Sequence, residues 1–495
     1  MYSVSATSLI PPRVRPLASE SPVFLIALTL CALVTALAAA GPLSAIFDRS
    51  SIDYGEGWNA YWAAAAMGAG PLYAKSHVLI ANNYPPLSFY LDGLLGRLIG
   101  DNVVAGRLVA TASVLVVAML IAVIVRRMGA PWRWGVAAAI LFLGYDVFYF
   151  SQFLAVNNPQ WLGQAIMLAG LLPLLRMAGR SPTALRISIA AGIMVLGGLV
   201  KHNQFALPLA VTLWLLVRDR RGLGIWIAAG IGWAALAALL LFACYGSAVF
   251  VELLQFKRTT DIVNFISGLR KMGCFVVLAG VALISARTLR KDRRWALLAL
   301  YAVLGLSLGA LQRLGSGVYV NAHFDALIGL SILCGATLGR AASSGRGPDR
   351  RTRSILLFAL TIPLALIAGT HIQRSLRQWR EQPAQTAAWE TMIVDVRSAP
   401  GSVLCEVPAV CYWAGRPFSL DFFAYGQKLR TGTDPRPLAR AIAMEQPALL
   451  ILDAGYGKQS GEERLPSPFP SLMRSHYHLV RTLPNGIEER APNAG

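Results

Sequence analysis

Residues 22–41 read PVFLIALTLCALVTALAAAG and contain no charged side chain. A helix of about 20 apolar residues is about 30 Å long, which matches the hydrocarbon thickness of a bilayer. Ten further apolar stretches follow this one along the chain. The predicted membrane spans are 22–41, 103–125, 134–151, 160–177, 187–200, 204–217, 223–243, 270–286, 295–312, 323–339 and 354–371.

The composition agrees with a membrane protein. Of the 495 residues, 55% are hydrophobic and only 14% are charged, whereas soluble proteins carry about 25% charged residues. No sustained alternation of apolar and polar residues, as strands would show, precedes residue 400. Because ten more spans follow the first, we do not expect it to be a cleaved signal. We therefore predict an all-α polytopic membrane protein with about 11 transmembrane helices.

The formal net charge of +20 is explained by topology. The Lys and Arg residues are concentrated on one set of connecting segments, as the positive-inside rule requires of cytoplasmic loops. This pattern predicts an inner-membrane protein with an inside N-terminus and an outside C-terminus. It removes the reason to infer nucleic-acid binding, for which no zinc, RRM or helix-turn-helix pattern is present. The predicted inside segments are the N-terminus with Arg13 and Arg15, followed by 126–133, 176–186, 218–221, 287–294 and 340–353.

Two outward regions are long enough to carry function. The first periplasmic loop, 42–102, follows the first span. The second, 372–495, follows the last span and is predicted to form a small C-terminal α/β periplasmic domain. The remaining chain, 1–371, is predicted to form the transmembrane domain.

The pattern of the C-terminal region is mixed. Helices are predicted at 384–398 and at 437–445, the latter opened by Asp434-Pro435. Apolar strands are predicted at 402–408 and 448–453. Residues 456–495 are rich in Gly, Pro, Ser and charge, which favours irregular structure.

Cysteine is sparse. Cys405 and Cys411 both lie in the outward region, where a disulfide is chemically feasible, and their spacing leaves pairing open. The other four lie in or at the end of spans and are expected to be packing residues. No Cys/His spacing indicates zinc. A divalent metal stays open but unsupported, because clustered carboxylates are absent, and no cofactor is firmly implied.

The first outward loop has the strongest chemical pattern. Asp53 and Glu56 lie just beyond the outer end of a span, with glycines on both sides of Glu56. Trp58, Tyr61 and Trp62 suit a helix at the membrane interface. A carboxylate in such a partly dry place can act as a general base. From spacing alone, an acidic loop with an aromatic belt explains the pattern equally well.

Several motifs, in this order, resemble the bacterial integral-membrane glycosyltransferases of the GT-C fold. The resemblance is to the rhizobial lipopolysaccharide galacturonosyltransferase group, and more distantly to the lipid A aminoarabinose transferase and the protein O-mannosyltransferases. The motifs are Asp53-Tyr54-Gly55-Glu56-Gly57, Gly70-Pro71-Leu72-Tyr73, Asn83-Tyr84-Pro85-Pro86-Leu87, Asn158-Pro159-Gln160, Lys201-His202-Asn203, Asn321-Ala322-His323-Phe324 and the tail segment from Ala414 to Leu438 with Asp421.

The resemblance implies a catalytic base in the first loop and a polyprenyl-phosphate sugar as donor. Many relatives place Asp and Glu side by side, whereas here Gly55 precedes Glu56 and the aspartate is Asp53. Asp53 is the preferred base and Glu56 the alternative. Some relatives carry a further aspartate in the second outward loop, where this chain has Asn157 and Asn158. Residues expected to contact substrate are Asn83, Asn158, Asn203, Asn321 and His323.

The donor phosphate needs fixed cations, because its leaving oxygen gains negative charge as the glycosidic bond breaks. Lys201 is the best candidate, since a lysine between two apolar spans is costly without a partner. His202, Arg313 and Tyr84 are expected beside it. Snorkelling to the headgroups is the alternative for Lys201, and an amphipathic interfacial loop is the stronger explanation for Lys257 and Arg258.

The predicted function is transfer of a sugar, with inversion, to an envelope acceptor on the periplasmic face. The acceptor is a glycolipid, a polysaccharide such as lipopolysaccharide, or a protein. The alternative is a polytopic transporter or a lipid flippase. The two predict different geometry: a transferase gathers Asp53, Tyr84 and Lys201 around one cavity, and a transporter lines a central path with polar groups from both halves.

Overall fold

A computed structural model gives the fold of most of the chain. Arg13, Arg15, the start of 176–186 and most of 287–294, which the sequence places inside, lie outside the described residues. The described residues are 21–75, 77–175, 182–286, 292–344, 348–456, 463–483 and 486–493.

The described residues form nineteen α-helices. They are α1 Pro22–Ser44, α2 Tyr54–Ala64, α3 Leu87–Ile99, α4 Asn102–Arg127, α5 Trp132–Tyr149, α6 Gln160–Leu171, α7 Ala184–Gly198, α8 Ala206–Arg218, α9 Arg220–Tyr245, α10 Ala248–Leu254, α11 Ile262–Lys271, α12 Val276–Ser285, α13 Arg293–Gln312, α14 Phe324–Ser344, α15 Arg350–Ser398, α16 Pro408–Trp413, α17 Phe422–Arg430, α18 Arg436–Glu445 and α19 Phe469–His476.

Each of the eleven predicted spans corresponds to a helix of the structure, and the predicted all-α membrane architecture is confirmed. Seven helical segments of the described chain are long and apolar enough to cross a membrane. The shorter α6, α7 and α8 contain 12, 15 and 13 residues. Residues at the helix ends explain where several helices begin. For example, Asp101 Oδ1 accepts a hydrogen bond from Val103 N (2.8 Å) and caps α4.

Four strands form one mixed sheet in the C-terminal region, in the order β1-β2-β4-β3. The strands β1 and β2 are parallel, with Leu404 opposite Leu450, and the other two pairings are antiparallel. Leu404, Leu450 and Leu452 pack with Tyr425 and Leu438 of the helices in one core. The strands are β1 Val403–Cys405, β2 Leu449–Asp453, β3 Tyr477–Thr482 and β4 Ile487–Pro492.

Two predictions for this region are corrected. The predicted helix 384–398 is the end of the single helix α15, which starts at Arg350 and continues through the predicted end of the last span. The prediction of irregular structure for 456–495 was wrong, since α19, β3 and β4 lie there. The two strands tolerate many charged residues because most of their side chains are exposed or half-buried, with Tyr477, Ile487 and Glu489 the buried ones. The Arg481 Nε–Glu489 Oε2 ion pair (2.6 Å) joins them.

Cys405 and Cys411 form a disulfide, which settles the pairing that the sequence left open. The bond joins β1 to α16. This short helix packs directly on α2 of the first loop, where a Cβ on Gly57 would lie 2.1 Å from Ala409 N. The second glycine of the Asp-Tyr-Gly-Glu-Gly motif is therefore needed for close approach of the two backbones.

Candidate functional site

A cavity of about 470 Å³ lies where the first outward loop, the α7–α8 junction, the α13–α14 connection and the C-terminal region meet. Eight of the eleven predicted site residues line it. They are Asp53, Asn83, Tyr84, Asn158, Lys201, His202, Asn203 and Asn321. Glu56, Arg313 and His323 are not among its lining residues.

Asp53 stands at the N-terminus of α2 and lines the cavity. Its Oδ1 accepts a hydrogen bond from Gly55 N (2.7 Å), so the side chain caps the helix. Among the described residues, none hydrogen-bonds to Oδ2. Burial raises the pKa of the Asp53 carboxyl above its ordinary value, and the charge of Glu56 adds to this, against the Gly55 hydrogen bond and the cations Arg464 and Lys201. Such a carboxylate binds a proton more readily than an exposed aspartate.

Glu56 has a different environment, although it lies only one helical turn away. Its carboxylate is fully buried and receives Arg107 Nε on Oε1 and Arg107 Nη2 on Oε2, both at 2.7 Å. Ile52 N and Asn157 N donate to the same carboxylate at 2.8 and 3.1 Å. Glu56 therefore joins α2 to α4 and the second outward loop. A buried carboxylate with four donors is poorly suited to accept a proton from a substrate.

Lys201 is 5% exposed at the α7–α8 junction. Its Nζ lies 4.7 Å from the centre of the Tyr84 ring. Among the described residues, no carboxylate lies within 4.0 Å of it. Burial by itself raises the pKa of the Tyr84 hydroxyl, but the positive charges of Lys201 and Arg258 outweigh this effect and lower it.

Arg258 belongs to the same end of the cavity. Its guanidinium lies 5.5 Å from the Phe423 ring centre, and Nη1 donates to Ser316 O (3.2 Å). Burial lowers the pKa of Arg258. The residue lines the cavity, so its placement differs from the interfacial loop that the sequence favoured.

His202 completes this end of the cavity. Burial lowers the pKa of its imidazole, and the charges of Lys201 and Arg258 lower it further. A neutral imidazole carries one donor and one acceptor nitrogen, and both can serve a ligand.

Arg464 was missed by the sequence analysis. It enters the cavity from the C-terminal region, with its guanidinium 4.6 Å from the Tyr54 ring centre. Its guanidinium forms ion pairs with Glu406, which follows β1, and with Asp453, at the end of β2, each with an N–O distance of 3.0 Å. These carboxylates raise its pKa against the opposite effect of burial. No nearby residue in the sequence marks Arg464 as part of a site. Its two partners lie at the ends of strands that become neighbours only in the folded sheet.

Arg313 and His323 lie behind the lining. Arg313 is 4% exposed, packs against Gly268 and donates through Nη1 to Val318 O. His323 is fully buried, with its ring centre 6.3 Å from that of Phe275. Neither is placed to contact a ligand in the cavity directly.

Among the described residues, no three His, Cys, Asp or Glu side chains are placed to hold one metal ion. The charged groups that line the cavity are the carboxylates Asp53 and Asp421 and three cations, of which Lys201 and Arg258 have no carboxylate within 4.0 Å among the described residues. This arrangement can accept a proton at one place and stabilise a developing anion at another.

The overall fold matches two kinds of solved structure. ArnT from Cupriavidus metallidurans, a lipid A aminoarabinose transferase, matches in its undecaprenyl phosphate complex over 95% of this chain and 98% of its own, with a TM-score of 0.60 and 13% identity. Its apo structure matches over 94% and 97%, with a TM-score of 0.58 and 15% identity. The Archaeoglobus fulgidus oligosaccharyltransferase, in complex with zinc and sulfate, matches over 94% of this chain and 73% of its own, with a TM-score of 0.52 and 14% identity.

The chain has the GT-C fold. The resemblance noted in the sequence is thereby confirmed at the level of the fold. A GT-C assignment covers almost the whole chain, including the C-terminal region. No protein-family model matches the sequence. No curated protein matches it either.

Proposed function

We propose that this GT-C protein is an inverting glycosyltransferase that moves a sugar from a polyprenyl phosphate to an envelope acceptor. One observation carries the proposal: a single cavity holds the Asp53 carboxylate together with two cations, Lys201 and Arg258, that have no carboxylate partner within 4.0 Å among the described residues. The bound undecaprenyl phosphate of the ArnT structure supports a lipid-phosphate donor.

The two cations suit the phosphate of the donor. When the bond between the anomeric carbon and the phosphate oxygen breaks, the electron pair stays on the oxygen and polyprenyl phosphate leaves. Lys201 and Arg258 stabilise that charge because they are held in place and shielded from water. The Tyr84 ring under Lys201 and the neutral His202 complete the contact.

The carboxylate suits the acceptor. Asp53 Oδ2 takes the proton of an acceptor hydroxyl, and the oxygen attacks the anomeric carbon on the face opposite the phosphate. One glycosidic bond forms as the other breaks, so the anomeric configuration inverts. The hydrogen bond that Gly55 N donates to Asp53 Oδ1 holds the carboxylate in position.

Asp53, Tyr84 and Lys201 line one cavity. This geometry favours a transferase, because a transporter or flippase is expected to have a polar path between the two halves of the chain. We propose that the cavity faces the periplasm of a bacterial inner membrane, with residues 372–495 outside.

The test is transfer in a purified system. The full chain in lipid nanodiscs is given polyprenyl-phosphate sugars and an envelope extract that contains the glycolipids, polysaccharides and proteins, and the product configuration is read by NMR. Inverted product supports the proposal, whereas retention or the absence of any transfer contradicts it.

A further inference from the structure

Helix α17 of the C-terminal region carries two buried polar side chains that the proposed reaction does not use. Asp421, which caps the helix, and Gln427 are each 2% exposed. Buried polar groups are costly unless they are hydrogen-bonded, so the partners of each side chain indicate what it holds in place. Both side chains bond to segments that carry charged groups of the cavity.

Asp421 joins α17 to α2, the helix that Asp53 caps. Its Oδ1 accepts a hydrogen bond from Tyr54 Oη (2.7 Å), and its Oδ2 accepts one from Trp58 Nε1 (3.0 Å). Tyr54 follows Asp53 directly, and Trp58 lies one helical turn further along α2. The same Oδ1 accepts from Ala424 N (2.8 Å) and so caps α17. These bonds hold the first turn of α2, and with it the Asp53 carboxylate, against α17.

Gln427 joins the same helix to the segment that carries Arg258. Its Oε1 accepts hydrogen bonds from Thr259 N and Thr259 Oγ1, both at 3.0 Å, and its Nε2 donates to Ser316 Oγ (3.3 Å). Arg258 Nη1 donates to the backbone oxygen of the same serine (3.2 Å). The residue after Arg258 and the residue that accepts from its guanidinium are therefore both bonded to Gln427.

Helix α17 is also fixed to two further parts of the cavity wall. Lys428 Nζ donates to Val78 O and Ile80 O of the first outward loop, each at 3.3 Å. Arg430 Nη1 donates to Arg464 O (2.9 Å). The helix thus contacts the segments around Asp53, Arg258 and Arg464, and it can fix their relative positions.

Resting on the proposed function, we propose that Asp421 and Gln427 are positioning residues of the transferase that act through α17. Asp421 holds the base Asp53 where the acceptor hydroxyl is deprotonated. Gln427 holds Arg258 where the donor phosphate binds. The C-terminal region is then part of the active site, because reaction rates depend steeply on such placement. Since the two residues act on different reactants, their loss should have different kinetic consequences.

Two measurements on the full chain in nanodiscs separate these roles. One is the affinity for polyprenyl phosphate, and the other is the rate of transfer from saturating polyprenyl-phosphate sugar to the envelope extract. Asp421→Asn keeps the helix cap but turns an amide donor toward Tyr54 Oη or Trp58 Nε1. The rate should therefore fall about tenfold, the effect of one lost hydrogen bond, while the affinity for polyprenyl phosphate stays unchanged.

Gln427→Leu removes the bonds to Thr259 and Ser316, so the affinity for polyprenyl phosphate should fall about tenfold. Thr259→Val removes the hydroxyl that donates to Gln427 Oε1, keeps the side-chain shape and should weaken binding in the same direction. The double variant should lose less affinity than the product of the two single losses, as expected of residues in one contact. A full product of the losses contradicts positioning through this contact.

Tyr425→Phe is the matched control on α17. It removes the hydrogen bond from Tyr425 Oη to Asp434 O (3.0 Å), which lies within the C-terminal region, and should change neither affinity nor rate. Equal losses in this control would show that any weakening of α17 has the same effect and would overturn the inference.

The inference is also overturned, with the transferase proposal left standing, if Asp421→Asn transfers at the natural rate or binds polyprenyl phosphate more weakly. Unchanged phosphate binding by Gln427→Leu has the same consequence. Failure of the natural chain to bind polyprenyl phosphate contradicts the transferase proposal itself, and this inference with it.

Discussion

Asp53 and Glu56 are both acids of the first loop, yet their hydrogen bonds assign them different roles. Asp53→Asn keeps the helix cap, because asparagine caps helices as well as aspartate does. It removes the base, so the transfer rate should fall about 10²–10⁴-fold while the melting temperature stays unchanged. The rate is measured with purified variant in nanodiscs. A well-folded Asp53→Asn protein with normal activity would exclude Asp53 as the base.

The raised pKa of Asp53 predicts the pH dependence of the reaction. A general base works only when unprotonated, so the rate should fall as pH falls, with a midpoint above the ordinary aspartate value of 3.8. The residual rate of Asp53→Asn should lack this acid limb. An identical acid limb in that variant would assign the titration to another group.

Substitution of Lys201 tests the proposed contact with the donor phosphate. Lys201→Ala removes a buried cation and should sharply reduce both binding of polyprenyl phosphate and turnover. Lys201→Arg should retain part of the activity, because the charge survives while the geometry changes. Normal turnover of Lys201→Ala would mean that the lysine only reaches toward the headgroups.

At the scale of elements, the buried Glu56–Arg107 pair joins α2 to α4. Glu56→Gln leaves the Arg107 guanidinium buried without its counter-charge, which should cost about 3–5 kcal/mol of stability. Thermal unfolding in detergent measures the loss, with Asp53→Asn as the matched control on the same helix. An unshifted melting temperature with no activity would instead exchange the roles of the two acids.

The helices of the membrane region could be predicted because apolar length is a local property of the chain. The site could be predicted only in part. Asp53 and Lys201 are marked by nearby sequence, whereas the partner of Glu56 is an arginine within the predicted span 103–125. An arginine inside an apolar stretch indicates a buried partner, and Arg107 is such an arginine.

Arg464 shows more clearly which part of the site could not be predicted from the sequence. It pairs with Glu406 and Asp453, which lie at the ends of parallel neighbouring strands and 47 residues apart in the chain. Those two strands are short and apolar, so the sequence predicts the strands but not that they lie side by side. β3 and β4 were missed for a different reason, since their many charged residues hide the alternation that predicts a strand.

At the scale of the molecule, every assignment depends on orientation in the membrane. The basic loops predict that residues 341–353 are inside and that the region after α15 is outside. A phosphatase reporter fused after residue 399 should therefore be active, and one fused within 341–353 should be silent. The reverse pattern would place Asp53 and the cavity in the cytoplasm.

The account as a whole rests on sugar transfer from a lipid phosphate in this cavity. Mass spectrometry of envelope glycolipids and polyprenyl-phosphate sugars tests it most directly, in otherwise identical cells with the natural chain, with Asp53→Asn, or with neither. We predict that one glycosylated envelope product is lost and its polyprenyl-phosphate donor accumulates both in cells without the protein and in cells with Asp53→Asn. Identical products and donor levels in all three would contradict the account.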